Sequence, residues 1–285
     1  MLNDTIDLYK EYLSSKFTTE TTRTYMAHIK PLLAGQNLNF RADKLDIDKV
    51  IAILTEVKYK NNFAKYKNAF LHFCEFLDVT LNDDYLNQIK ELEKGTKKKY
   101  RKSRNIDFES IDKKIKGLRN QKLKLSYQTM LATGLRVAEL AQITKDDCLI
   151  ADDGSLITDD EICLSFIAKG GMPSTVTILK SEHPKLFGHL KALIKSSKHK
   201  IFYSAIYLQI NAKELGFTCH DLRRIYAKLE YQKAKAKRAK RPIKDKGAKE
   251  VVETGAISAK EVVRDKLRHS SIKNTNIYLK SKVKV

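Results

Sequence analysis

Arg264-Asp-Lys-Leu-Arg-His-Ser-Ser-Ile-Lys-Asn-Thr-Asn-Ile-Tyr-Leu-Lys280 is the stretch on which the reading of this chain turns. His269 opens a short polar turn, and Tyr278 follows nine residues later on what reads as a new helix. Packing alone does not ask for that pair. It makes chemical sense if Tyr278 is a nucleophile brought to a phosphate that His269 helps to hold. One histidine and one tyrosine carry little weight, so the remaining parts of a phosphate-cleaving site must lie upstream.

Three motifs supply them. Thr133-Gly-Leu-Arg-Val-Ala-Glu-Leu140 sets Arg136 two residues after a helix-ending glycine, at the start of the next helix. A guanidinium there is placed to grip a phosphate bidentately. Glu139 either fixes that guanidinium or caps the helix. Ala168-Lys-Gly-Gly171 puts Lys169 at a hairpin tip, where it can protonate a leaving oxygen or serve as an ordinary polar turn. His220-Asp-Leu-Arg-Arg224 spaces His220 and Arg223 three residues apart on one face of a helix start, with Leu222, Ile225 and Tyr226 on the buried side. Singly, each motif has an ordinary reading as a turn residue or a surface cation. Together they form the set that metal-free phosphodiester transfer requires: cations to neutralise a phosphorane, an acid for the departing oxygen and a phenol to attack.

The composition agrees. The 285 residues include 55 Lys and Arg against 34 Asp and Glu, a net charge of +21. Such an excess points to a polyanion, nucleic acid above all, because neutralised phosphates release counterions. The length suits two domains, and a hydrophobic share of 42% with 13 Tyr and 11 Phe excludes a disordered chain. Cys74, Cys148, Cys163 and Cys219 form no CxxC pair. They read as small buried hydrophobes in a reducing compartment, not as a disulfide framework or a zinc site. The N-terminus lacks the pattern of a signal peptide, and no run approaches the roughly eighteen apolar residues of a membrane span. The expectation is a cytoplasmic, nucleoid-associated protein with no membrane contact, cofactor or metal.

The fold class that the pattern predicts is mainly α with a small antiparallel β-sheet, in two domains. Residues 1–93 read as an all-helical domain, with helices over Thr19–Leu33, Asp46–Val57, Asn61–Leu77 and Asp84–Leu92. Phe63, Tyr66, Phe70, Phe73 and Phe76 recur at helical spacing and so read as core, not as a base-stacking platform. Residues 94–105 are basic and apolar-poor, a linker suited to lie along a DNA backbone. Residues 106–285 form the second domain, with helices at Asp107–Leu118 and Leu123–Thr133. A β-region at about 148–180 pairs Ile162–Ala168 with Thr175–Leu179. Helices follow at Pro184–Ser196 and 203–215, and a long one from Asp221 becomes very basic through 233–249.

With these motifs in order, the chain resembles the tyrosine recombinase (phage integrase) family over nearly its whole length. Thr133–Leu140 resembles that family's first box and His220–Arg224 the second. Leu267-Arg-His-Ser-Ser-Ile272 with Asn276-Ile-Tyr278 resembles the third box and nucleophile, and Ala168–Gly171 the hairpin lysine. The resemblance implies a helical core-binding domain (1–93) and a mixed α/β catalytic domain (106–285) that close as a clamp on double-stranded DNA. It implies that Tyr278 attacks the scissile phosphate to give a 3′-phosphotyrosyl link and a free 5′-hydroxyl. Arg136 and Arg223 would hold the non-bridging oxygens, Lys169 would be the general acid, His220 would assist proton transfer and His269 would hydrogen-bond the phosphate. Neither ATP nor metal is implied. The implied partners are specific recombination sites, paired in a tetramer, with accessory DNA-bending proteins.

Three features depart from the family pattern. Arg268 stands where the family has a glycine, the interval between the second and third boxes carries a basic insert at about 231–260, and only Leu279–Val285 follow the nucleophile. So short a tail buries little apolar area, though it could add one edge strand. Subunits are therefore expected to be monomeric or weakly associated until DNA assembles them. A telomere resolvase or a type IB topoisomerase-like strand transferase shares the same residues, and a non-catalytic DNA-binding accessory protein would share the charge.

Overall fold

The computed structural model describes residues 2–36, 45–97, 105–148, 159–168, 171–239 and 258–284. Two units divide the chain, Met1–Lys102 and Ser103–Val285. The architecture is mainly helical with a small antiparallel sheet, as the hydrophobic periodicity predicts.

The first unit holds α1 (Leu2–Lys16), α2 (Thr19–Leu32), α3 (Ile47–Thr55), α4 (Lys60–Phe76) and α5 (Asp83–Gly95). Three of the starts are set by side-chain caps: Thr18 accepts from the Thr21 N–H, Asp46 from Lys49 and Asn82 from Tyr85. The aromatic stripe of α4 faces inward. Phe63, Phe70 and Phe73 are fully buried, while Tyr66 and Phe76 pack at the margin of the same core. Tyr9 of α1 meets Phe73 edge to face at 5.0 Å and donates its hydroxyl to the Ala69 carbonyl at 3.2 Å, so one side chain makes both an apolar and a polar contact between α1 and α4. The first residues of the expected basic linker belong to this unit. Its last helix runs to Gly95, and Lys97 pairs with Tyr59 in a parallel bridge. Residues 98–104 of that linker lie outside the described residues.

The second unit opens with β1 (Ile106–Asp107), α6 (Phe108–Lys116), α7 (Gln121–Thr133) and the short α8 (Val137–Gln142). Strands β2 (Glu161–Ile167) and β3 (Pro173–Leu179) form the hairpin, with Glu161 opposite Leu179 and Ile167 opposite Pro173. Along β2 the buried Ile162, Leu164 and Phe166 alternate with more exposed residues, the period-2 pattern of a half-buried strand. Helices α9 (Pro184–Ser196), α10 (Ala205–Glu214), α11 (Cys219–Ala239), α12 (Ala259–Lys266) and α13 (Ile272–Leu279) follow. Tyr226, Ala227, Val263, Leu267 and Tyr278 pack the last three together in a core of their own. The tail does add an edge strand, but within its own unit: β4 (Val283–Lys284) pairs in parallel with β1, and the Ile106 N–H reaches the Lys282 carbonyl at 2.9 Å. Of the basic insert, helix α11 covers residues up to Ala239, and 240–257 lie outside the described residues. The four cysteines are free, and no described helix is long and apolar enough to cross a membrane.

Candidate active site

Five of the six residues singled out in the sequence come together in the second unit. The sixth, Lys169, lies outside the described residues, between the ends of β2 and β3.

The first box turns on Gly134. It ends α7 in the left-handed region at φ +65°, and a Cβ there would run into the ring of Tyr226. Only glycine meets both demands. Arg136 follows as the N-cap of α8, and Glu139 takes both of the roles open to it in the sequence. Its carboxylate accepts from the Arg136 N–H at 2.7 Å and pairs with the Arg136 guanidinium. Glu139 is 3% exposed. Burial would push its carboxyl upward, but the hydrogen bonds from Arg136 and the charges of Arg136 and Arg223 outweigh that and hold it below the ordinary glutamate range.

Arg223 sits at the centre. It is fully buried on the first turns of α11, and three segments converge on it. Its Nη1 donates to the Gly134 carbonyl and lies 3.8 Å from Glu139, and its Nη2 donates to the Leu267 carbonyl at 2.6 Å. Burial and the neighbouring Arg136 pull its pKa down to about 10, which leaves it charged at neutral pH. Arg136 keeps 28% of its side chain exposed. The two guanidiniums thus differ: one ties the protein together, and the other is open to a ligand.

Tyr278 projects from α13 and is 8% exposed. Three groups surround its ring. The imidazoles of His220 and His269 lie 5.0 and 5.1 Å away between centroids, and the Arg223 guanidinium 5.7 Å from the centroid. His269 presents Nε2 to Arg223 at 3.3 Å and Nδ1 to the hydroxyl of Thr275 at 3.0 Å. Burial, then the charges of Arg223 and Arg136, push His269 down to about 4. His220 is moved to about 4 as well, by burial of its ring and then by Arg224 and Arg223, although the residue keeps an exposed edge. Both imidazoles are neutral near pH 7.

The turn before His269 keeps its geometry without a glycine. Arg268 adopts φ +54° at the end of α12, donating its N–H to the Asp265 carbonyl at 2.9 Å while the His269 N–H reaches Arg264 at 3.0 Å. This is the paired closure that normally favours glycine. The Arg268 guanidinium lies over Phe166 of β2 at 4.8 Å, and its Nε and Nη2 are buried without a hydrogen-bond partner. Sequence reasoning passed over Thr275. Its only signal was a small polar residue one turn before the tyrosine, which by itself reads as a neutral helix position.

No protein-family model and no curated protein sequence matches the chain. Solved structures do. Lambda integrase (residues 75–356), in a dimer bound to a COC′ core site, is 17% identical, with a TM-score of 0.62 over 98% of this chain and 95% of that one. The Tn1549 transposon integrase, in complex with transposon right end DNA, is 14% identical, with a TM-score of 0.55 over 96% and 94%. XerH site-specific recombinase bound to palindromic difH substrate is 15% identical, with a TM-score of 0.54 over 90% and 75%. The fold is that of the tyrosine recombinases, the family that the motifs resemble.

Proposed function

We propose that the protein is a site-specific DNA strand transferase, a tyrosine recombinase that cleaves and rejoins DNA through a 3′-phosphotyrosyl intermediate. One observation carries the reading: a buried guanidinium and two neutral imidazoles surround a single tyrosine, and Glu139 joins that guanidinium to a second, more open one. Glu139 balances only one of the two guanidinium charges, so with both imidazoles neutral the cluster keeps a net positive charge that a further anion can meet. A phosphodiester is that anion.

In this reading the Tyr278 oxygen attacks phosphorus and the bond to the 5′ oxygen breaks. Arg136 meets the non-bridging oxygens first, because it is already open. Arg223 adds its charge from behind, where low exposure strengthens its field. The phenol proton passes to a neutral imidazole, with His220 the residue at the exposed edge. Lys169 supplies the proton to the departing oxygen. The net charge of +21 and the DNA complexes of lambda integrase, XerH and the Tn1549 integrase support double-stranded DNA as the partner. A lambda integrase tetramer bound to a Holliday junction supports four subunits on two paired sites. Residues 1–93 would add a second DNA-binding unit.

The test is covalent trapping. A duplex nicked close to the cleavage point loses its 5′ fragment and strands the enzyme on the 3′ end. Wild-type protein is expected to form a denaturant-stable adduct, and Tyr278→Phe to bind DNA equally well and form none. Adduct formation by the Phe variant would refute the assignment. Lys169→Ala is expected to slow cleavage at a normal 5′ oxygen far more than at a 5′-bridging sulfur, which leaves without an acid. Equal slowing of the two substrates would remove Lys169 from that role.

A further inference from the structure

Thr275 lies on the buried face of α13, one turn before Tyr278, and is completely shielded from solvent. A threonine hydroxyl in such a place needs a partner, and it has one in His269 Nδ1 at 3.0 Å. The other ring nitrogen faces Arg223 Nη2 at 3.3 Å. A guanidinium has donors and no acceptor. Nη2 carries two hydrogens, of which one goes to the Leu267 carbonyl and the other is left for the imidazole. His269 Nε2 must therefore accept, the ring proton sits on Nδ1, and Nδ1 donates to Thr275 Oγ1. A protonated ring would set two donors face to face, so the arrangement also requires a neutral imidazole, in keeping with its depressed basicity.

This tautomer is the wrong one for binding a phosphate oxygen, which asks for N–H on Nε2. A hydroxyl, unlike a carbonyl or a carboxylate, can both accept and donate. We infer that Thr275 is a positioning residue that holds His269 as the Nδ1–H tautomer in the ligand-free site and permits its reversal to the Nε2–H form when a phosphate takes the place of the ring beside Arg223. The second half rests on the strand-transfer reading; the first does not. In the reversal the ring gives its Nδ1 proton to solvent and takes one at Nε2. The Thr275 hydroxyl then rotates and donates its own hydrogen to Nδ1. The number of protons is unchanged, and both states keep every ring nitrogen paired. Were the partner a fixed acceptor, the second state would leave two lone pairs opposed.

The tautomer can be read directly from nitrogen NMR of the full-length chain labelled at histidine nitrogens, at neutral pH, with His269 assigned from the peak lost in His269→Asn. Wild type without ligand is expected to show a protonated Nδ1 and a bare Nε2. Thr275→Ser should look the same, and Thr275→Val, which keeps the shape without the hydroxyl, should show a mixture of tautomers. Addition of inorganic phosphate is expected to move the proton to Nε2 in wild type and Thr275→Ser. A ligand-free wild type protonated at Nε2, or a Val variant indistinguishable from it, would overturn the positioning role. Phosphate that leaves the tautomer unmoved would overturn the reversal. If Thr275→Val does not fold, the wild-type and Ser spectra still decide. On a nicked duplex, Thr275→Val should trap DNA roughly tenfold more slowly, the loss of about one hydrogen bond, with rescue by Ser. A chain that shows the expected tautomer yet traps no DNA would lose the strand-transfer reading and keep this one.

Discussion

The two units bury their interiors differently. Among the described residues of the first, the buried polar side chains are Thr5, Thr22 and Gln36, all uncharged, and the core is held by Tyr9, Phe63, Phe70 and Phe73. In the second, Glu139, Asp221, Arg223 and Glu230 are all at most 5% exposed. Burying charge costs stability unless each group is paired, and apolar replacements are often as stable or more so. A chain that builds the described core of one unit without buried charged side chains has no general need for buried ions. Among the described residues, the buried ions fall in the second unit, where the candidate site lies. Arg223 shows this most plainly: it is fully buried, and its carbonyl partners at Gly134 and Leu267 come from the two segments that present Arg136 and His269.

The largest effect should therefore come from Arg223→Met. It removes the donors to two carbonyls and a partner of Glu139, so the second unit should lose about 3–5 kcal/mol, and trapping of DNA should disappear with it. Amide exchange, followed along the chain, should show the loss confined to residues after 103. An equal loss in the first unit would break the comparison. Phe73→Ala is the mirror experiment. It opens a cavity in the first core and should cost that unit about 3 kcal/mol or more. The tautomer of His269 should stay as in wild type, and a change in it would mean that the units are not independent.

pH sharpens the contrast further. His269 has a folded pKa of about 4, below the unfolded value of about 6.5. The unfolded chain then binds the extra proton, so stability is complete above about 6.5 and falls as pH drops toward about 4. The decline should be on the order of 2 kcal/mol, since the ring is only partly shielded. Denaturation midpoints of wild type and His269→Asn between those limits would check it, and identical slopes would contradict it. Glu139, held below the ordinary glutamate range, pulls in the same direction as acid neutralises it.

Much of this was legible in the residues. The hairpin follows from the partial alternation of Ile162, Leu164 and Phe166 and from a glycine pair between the strands. The helices expected from Asp46, Asp84 and Leu123 start within two or three residues of those positions, where Asp46, Asn82 and Asn120 cap them. Helix α1 is the element that periodicity marked least, because its buried face mixes Thr5 with Ile6, Tyr9 and Leu13 and no cap announces its start. Thr275 was out of reach for another reason. Its meaning depends on a ring six residues back across a turn, and no local pattern encodes that approach. The tail was open to an edge strand, but its partner β1 was hidden, being two residues long at the opposite end of the unit.

Arg268 offers the smallest and most discriminating prediction. In the left-handed region a glycine is relieved of a penalty of about 1 kcal/mol, so Arg268→Gly should raise stability by about that amount, less the stacking lost on Phe166. A drop of more than about 1 kcal/mol would show that the guanidinium holds the hairpin strand to the turn more tightly than a cation over one ring accounts for.

The parallel pair of β1 and β4 has a topological consequence. Because Ile106 and Lys282 share a hydrogen bond, the polypeptide of the second unit begins and finishes at one place, and its path is nearly a closed loop. A short peptide joining Lys284 to Ile106 would complete the circle, and new ends could then be cut elsewhere on the rim without changing which residues surround Tyr278. Sequence order and spatial order are separable here, and the second unit is in that sense a ring with a movable opening.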